Sequence, residues 1–330
     1  MKRFALTAAA LMLAAACSGG GDKGKLVDAF RDLGQRQNLS VVFTFQSDRD
    51  SLRALRGDDP EFPQEIFDKL LKSSVTVSST GSQDPEKSRS RFIVNLDGVD
   101  SFEIRSIGTD LYARADLDQA AEAFGIPDAD VEALRQIAGQ PGLEFIREAL
   151  EGKWLKLVGL DSVLKQFGGS TGPTPAAITA AQKKLIAELA GTLDKSAEVR
   201  KVGEDRAGEH LAATVALRQF LPALNRFVDE FAGSGTGLGL KPEDVPDEKV
   251  RLDAWVKDDR LTQLEFDFVK NAKLVDPKEA PPKGVEKFGF RLNFEDFSEN
   301  IEAPKGAVTI DPSKILQAIL GSISPGKLAA

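Results

Sequence analysis

A chain of 330 residues with 42% hydrophobic side chains is long and apolar enough to bury one large core or two ordinary ones. Its formal charge of −8 gives no electrostatic footprint for nucleic acid or for an anionic membrane surface. One cysteine excludes an internal disulfide and a cysteine-based metal site, and one histidine, His210, excludes a multi-histidine zinc centre. The aromatic residues are lopsided, with 20 Phe against 2 Trp and 1 Tyr. Phe carries no polar handle, so this bias points to a core or an apolar cavity rather than a polar interface.

Met1-Lys2-Arg3 is a short cationic start, and Phe4 to Ala16 runs without a formal charge. Basic, then apolar, then small is the order of a secretory signal peptide, here residues 1–16. The apolar run is about 13 residues against the roughly 20 of a spanning helix, so it is not expected to persist as a transmembrane anchor. The small residues before Cys17 resemble the lipobox of bacterial lipoproteins, with Ala14 where that family most often has Leu. The resemblance implies that the Cys17 thiol receives a diacylglyceryl group, that residues 1–16 are removed and that the new amino terminus is acylated. Two or three lipid chains, at ~0.8 kcal/mol per buried methylene, then hold the protein on the outer face of the cell membrane. Residues 17–24 read as a flexible Gly-rich tether and residues 25–330 as a single domain.

Leu26, Phe30 and Leu33 share one face of a helix over 25–37. Val41, Phe43 and Phe45 alternate with Val42, Thr44 and Gln46, which predicts a strand with one apolar face. A polar loop with a short helical piece follows over 48–63, then an amphipathic helix over 65–72. Strands are predicted at 74–78, 91–96, 99–107 and 111–114, with Asp97-Gly98 as a hairpin turn. Such a meander with short connections argues for α+β rather than α/β. Residues 116–150 read as helical, with Asp128 and Asp130 as N-caps. A short strand at 153–157, a loop at 168–175 and a helix over 176–193 complete a helix-rich insertion around 116–193.

The second half repeats the pattern. Strands are predicted at 198–202 and 208–215 around a turn at 203–207. Leu217, Phe220, Leu221, Leu224, Phe227, Val228 and Phe231 follow at helical spacing. Residues 250–256 and 264–268 form a hairpin across Asp258-Asp259-Arg260, and Phe288, Phe290, Leu292 and Phe294 alternate on a further strand. Ile301 to Pro304 is read as the end of the sheet, and Asp311-Pro312 as the start of a last helix through Ile315, Leu316, Ile319 and Leu320. Clean alternation predicts one wet and one dry sheet face.

The hairpin Asp253 to Leu261, the strand Gly289 to Phe294, the closing stretch Asp296 to Pro304, Gly108 to Arg114 and the lipobox together resemble the actinobacterial envelope lipoproteins of the LppX and LprG type. Those are similar in shape to the LolA and LolB carriers. The resemblance implies an antiparallel, strongly curved half-barrel sheet with helices across its concave face. Several members hold lipids or glycolipids between sheet and helices. This chain is longer, through the insertion around 116–193.

No catalytic constellation survives inspection, so no enzyme activity and no cofactor are expected. Ser162-Val163-Leu164-Lys165 matches S-x-x-K, but S-D-N and K-T-G partners are absent. Gly233 to Gly239 fits no phosphate-binding loop and reads as a linker. His210, beside Glu209 on a strand, reads as structural. Asp58-Asp59, Asp258-Asp259 and the acidic run 244–248 read as solvated turns, and no calcium loop is present. The dry face remains: Val41, Phe43, Phe45, Ile104, Phe266, Phe268, Phe290 and Leu292, facing the stripes of 217–231 and 315–320. A plain core and an acyl-chain cavity have the same composition, so both stay open. With the resemblance, the first reading is a lipid-anchored extracytoplasmic lipoprotein that binds a lipid or lipidated molecule at these residues. The second is a non-enzymatic structural or interaction lipoprotein of the cell envelope with a filled core.

Overall fold

The computed structural model describes residues 21–56, 64–81, 87–108, 110–139, 143–158, 175–216, 249–272 and 283–310, with 218, 219, 222 and 225. Cys17 and the leader, Asp58-Asp59, the Ser162 motif, the linker at 233–239, the acidic run 244–248 and the last helix lie outside the described residues. So does the 217–231 stripe apart from those four positions.

The chain is built as two meanders, each led in by a helix. Helix α1 (Asp22–Gln35) buries Leu26, Phe30 and Leu33, spaced at four and three residues, together with Val27 and Ala29. Its backbone turns extended at Arg36 and feeds straight into β1 (Asn38–Ser47). Strands β2 (Ser74–Thr80), β3 (Arg89–Leu96), β4 (Val99–Ile107), β5 (Asp110–Ala115) and β6 (Leu155–Leu157) follow, each antiparallel to the one before. Helices α2 (Arg49–Arg56) and α3 (Gln64–Leu71) lie between β1 and β2. Helices α4 (Leu117–Phe124), α5 (Asp128–Ala138) and α6 (Glu144–Leu150) fill the insertion.

Helix α7 (Pro175–Ser196) then leads into β7 (Glu198–Asp205), β8 (Gly208–Ala216), β9 (Lys249–Lys257), β10 (Arg260–Asp267) and β11 (Phe288–Asp296), again antiparallel throughout. The two meanders become one sheet at a single seam, where β1 pairs with β11 from Leu39↔Asp296 to Ser47↔Phe288. The result is an open, curved, twelve-stranded α+β sheet. Its last strand, β12 (Val308–Ile310), pairs in parallel with β6.

Local chemistry sets the turns. Asp97 and Gly98 both take positive φ, as do Asp258 and Asp259, the geometry whose twist suits a two-residue hairpin. Aspartate tolerates it because its short side chain hydrogen-bonds locally. Gly203 lies within β7 at a register shift rather than in the turn, which sits at 206–207. Helix α4 is capped by the Asp116 carboxylate, which accepts the Gln119 N–H, and it ends on left-handed Gly125. Helix α5 has no side-chain cap. Asp128 and Asp130 lie in its first turn, not at the cap, because Pro127 occupies that position. Helix α1 starts at Asp22, earlier than the sequence suggested, because Asp22 accepts the Lys201 N–H of β7 at 2.8 Å.

The dense core lies between α1, α7 and strands β8–β10. Leu26, Phe30, Leu33, Leu193, Leu211, Val215, Ala254 and Leu261 are all buried there. On the opposite face, residues 297–307 form a strap rather than an end to the sheet. It leaves β11 at the centre, buries Phe297 and Ile301, and reaches β12 at the far edge. Arg91 holds it through Glu299 at 3.3 Å, and Arg105 donates to the Glu302 carbonyl at 3.0 Å.

The expectation of one wet and one dry face needs correction. In β10 the polar Gln263, Glu265 and Asp267 are buried, whereas Leu264 and Phe266 keep partial exposure. Ser40, Ser78 and Glu103 are likewise buried on the polar face. The strap covers that face over β3 and β4. Over β9–β11 the long stems of Arg251, Lys270 and Arg291 fold back onto their carboxylate partners.

Candidate functional site

Pair register decides which side chains share a face, since directly opposed residues of an antiparallel pair point the same way. One row runs through Phe102, Val94, Val75, Phe43, Leu292, Leu264 and Ala254, from β4 across the seam to β9. The next row contains Phe45, Phe290 and Phe266. On the other side lies the row of Ile104, Phe92, Val77, Val41 and Phe294. The apolar stripe is therefore continuous across both meanders.

Its centre is a network of phenylalanine rings around the seam. Phe290 stacks on Phe43 and on Phe266, each at 5.6 Å between centroids. Phe45 meets Phe43 edge-on at 5.4 Å, and Phe268 meets Phe266 edge-on at 5.0 Å. Phe268 also contacts Phe288 at 5.4 Å and Phe290 at 6.1 Å. Offset and edge-on pairs are the favoured ring geometries. Phe268 is 39% exposed, and the other seven sequence-predicted positions also keep partial exposure, unlike the buried core under α1.

The register thus brings Val41, Phe43, Phe45, Ile104, Phe266, Phe290 and Leu292 onto one face, and ring contacts join Phe268 to them from the turn after β10. Three further phenylalanines escaped sequence reasoning. Phe288 belongs to the network, and Phe92 with Phe102 forms a satellite pair at 6.3 Å. Their alternation was visible, but only the β3–β4 register shows that they extend the same stripe.

The opposite face is charged and densely paired. The Glu103 side chain, 2% exposed, accepts from Arg91 at 2.7 Å and Arg105 at 2.8 Å, with Arg114 at 3.5 Å. Arg105 and Arg114 also lie over the Trp154 ring, at 4.6 and 5.2 Å. In the second meander Asp253, 3% exposed, meets His210 Nε2 at 2.9 Å, Arg251 at 2.6 Å and Lys270 at 3.3 Å. Burial works to raise the Asp253 carboxyl, but the bonds from Arg251 and His210 and the charge of Lys270 outweigh it and hold it below its ordinary range. His210 stacks flat on Trp255 at 4.2 Å, and Trp255 Nε1–H donates to Asp205. The Nε2 atom of His210 is thus engaged by Asp253 and its ring by Trp255.

Two open clefts lie beside the insertion. One, of about 510 Å³, is lined by Val99, Asp100, Arg114 and Asp116 at the β3–β4 turn. The other, of about 710 Å³, lies between α4 and α5 with Asp118, Glu122, Ile126 and Glu132 in its wall. Among the described residues no group of His, Cys, Asp and Glu is placed to hold a metal ion, and no helix is long and apolar enough to cross a membrane.

No family model and no curated protein matches the chain. Among solved structures, the Mycobacterium tuberculosis lipoprotein LppX overlaps 87% of this chain and 100% of its own, at 8% identity and a TM-score of 0.35, a coarse overlap.

Proposed function

We propose that the chain is an extracytoplasmic lipoprotein, anchored through acylated Cys17, that binds an apolar chain of a lipid or lipidated molecule on the phenylalanine stripe without catalysis. The observation that carries this reading is the burial pattern along the far half of β10 and on β11. Polar side chains of β10 are sealed while Phe266, Phe268 and Phe290 keep contact with solvent. Partly exposed aromatic surface of this extent is what an apolar ligand would cover, at ~25 cal/mol per Å² removed from water. From β4 to β9 the described positions in the row of Phe43, and Phe45, Phe290 and Phe266 in the next, are all apolar, which suits contact with an acyl chain. The wall residues are Val41, Phe43, Phe45, Ile104, Phe266, Phe268, Phe290 and Leu292.

Denaturing extraction of the purified mature protein, with mass spectrometry of the released non-covalent material, tests it. Stoichiometric lipid is expected, and Phe266→Trp or Phe290→Trp should alter its uptake. If no lipid co-purifies and both variants only lose stability, the carrier reading fails. The second reading, an interaction lipoprotein with a filled core, is favoured by one observation: Leu264, Phe266 and Phe294 pack against the buried core under α1. Cys17→Ala should release the protein from membranes or leave it as precursor. Correct processing with retained membrane binding would refute the anchor.

A further inference from the structure

We propose that the tethered chain stands with the 206–207 and 258–259 turns towards the bilayer and with its aromatic end, Phe268 and Phe288, directed away from the leaflet that anchors it. This orientation rests on the Cys17 anchor of the reading above. Two contacts fix where the tether enters the fold. Asp22 accepts the Lys201 N–H at 2.8 Å, and Lys25 pairs with Glu209 at 2.6 Å. Glu209 adjoins the turn where β7 passes into β8, beside the turn between β9 and β10, and Lys201 lies four residues before Asp205 on the edge strand β7, since Asp205 pairs with Gly208 and Lys257 with Arg260. Residues 18–21 alone separate Cys17 from α1, and four residues span at most ~14 Å.

The aromatic end is opposite. Strand β10 runs eight residues from Arg260 to Asp267, about 27 Å at ~3.4 Å per residue, before Phe268 begins the turn. Phe288 opens β11 at that same end, opposite Ser47. The leash is therefore about half the length of the sheet. It holds the hairpin turns near the lipid and leaves Phe268 roughly a strand length farther out. Charge does not drive this orientation, because Asp22, Glu204, Asp205 and Glu209 join Asp258 and Asp259 beside the cations of the entry end. Exchange of an apolar ligand would then occur with a partner beyond the anchoring leaflet.

The test uses the mature acylated chain in vesicles of phosphatidylethanolamine and phosphatidylglycerol. Cys17 is the only cysteine, so once it is acylated an introduced cysteine carries a single fluorophore. Arg206→Cys reports the entry end. Leu55→Cys and Val99→Cys report the far end, at side chains 36% and 47% exposed. Nitroxide placed on the lipid headgroups should quench the label at 206 severalfold more than the labels at 55 and 99. Equal quenching, or stronger quenching at 55 or 99, overturns the orientation. The mass of the Cys17 peptide separates the two levels: an acylated Cys17 with the wrong order sinks the orientation alone, whereas an unacylated Cys17 sinks the anchor and the orientation with it.

Discussion

Replacing Glu103 should loosen half of the polar face. Its carboxylate is 2% exposed and shared by Arg91, Arg105 and Arg114. Removing one partner from a buried ion pair costs about 3–5 kcal/mol, because the remaining charge stays uncompensated. Here the three arginines keep 23–38% exposure, so water screens part of that loss and the lower end of the range applies to Glu103→Ala, about 3 kcal/mol. Glu103→Gln retains an acceptor worth about 1 kcal/mol and should cost about 2 kcal/mol. Urea unfolding followed by circular dichroism measures both. Arg91 and Arg105 also hold the strap, so amide exchange at Phe297 and Ile301 should quicken in the same variants. Glu299→Ala is the control. That carboxylate is 70% exposed, and its pair with Arg91 should be worth under about 1 kcal/mol. A Glu103→Ala loss below about 1 kcal/mol, with unchanged exchange in the strap, would show that solvent and strap position the arginines without the buried carboxylate.

Three further outcomes are expected. Phe290→Ala should cost about 2–3 kcal/mol, less than the roughly 3–5 of a sealed phenylalanine, because the gap opens to water instead of leaving a closed cavity; a loss above about 4 kcal/mol by urea unfolding would mark the stripe as plain core. The Asp253 carboxyl is held below its ordinary value of 3.8 in the folded state, so it stabilises the fold above that pH, and the contribution fades as pH falls through the lower folded value. Asp253→Asn should therefore flatten the acid limb of a stability-against-pH curve below about pH 4, and an unchanged limb would refute the assignment. Gly289→Ala would drive a methyl group into the Phe266 carbonyl oxygen, so β10 and β11 must part; Tm should fall by several degrees at least, and an unchanged Tm would mean that the backbone yields freely there.

Much of the sheet was legible along the chain. Period-two alternation through Val41, Phe43 and Phe45, or through Phe288, Phe290 and Leu292, is a property of neighbours in sequence, and so is the Asp97-Gly98 turn. The α+β class followed from short connections between such runs. The strap was not legible. Phe297 and Ile301 carry no periodic pattern, and the strap they belong to is held by Arg91 and Arg105 of β3 and β4, far away in sequence. Strand β12 was missed for the same reason: three residues of Val308–Ile310 hold their place only by pairing with β6.

The candidate stripe shows the same division. The sequence alone determined that Phe43, Phe45, Phe266 and Phe290 each lie on the apolar side of a strand, because a strand's side chains alternate whatever it pairs with. It also supplied Cys17 and the Gly-rich stretch that follows it. That Phe290 stacks between Phe43 and Phe266 was decided at the β1–β11 seam, which joins residues nearly the whole chain apart. Which face meets water was decided there too. Alternation sorts side chains by polarity, but exposure depends on what lies across each face. Here a strap and folded-back arginines seal the polar side while the phenylalanines stay within reach of solvent.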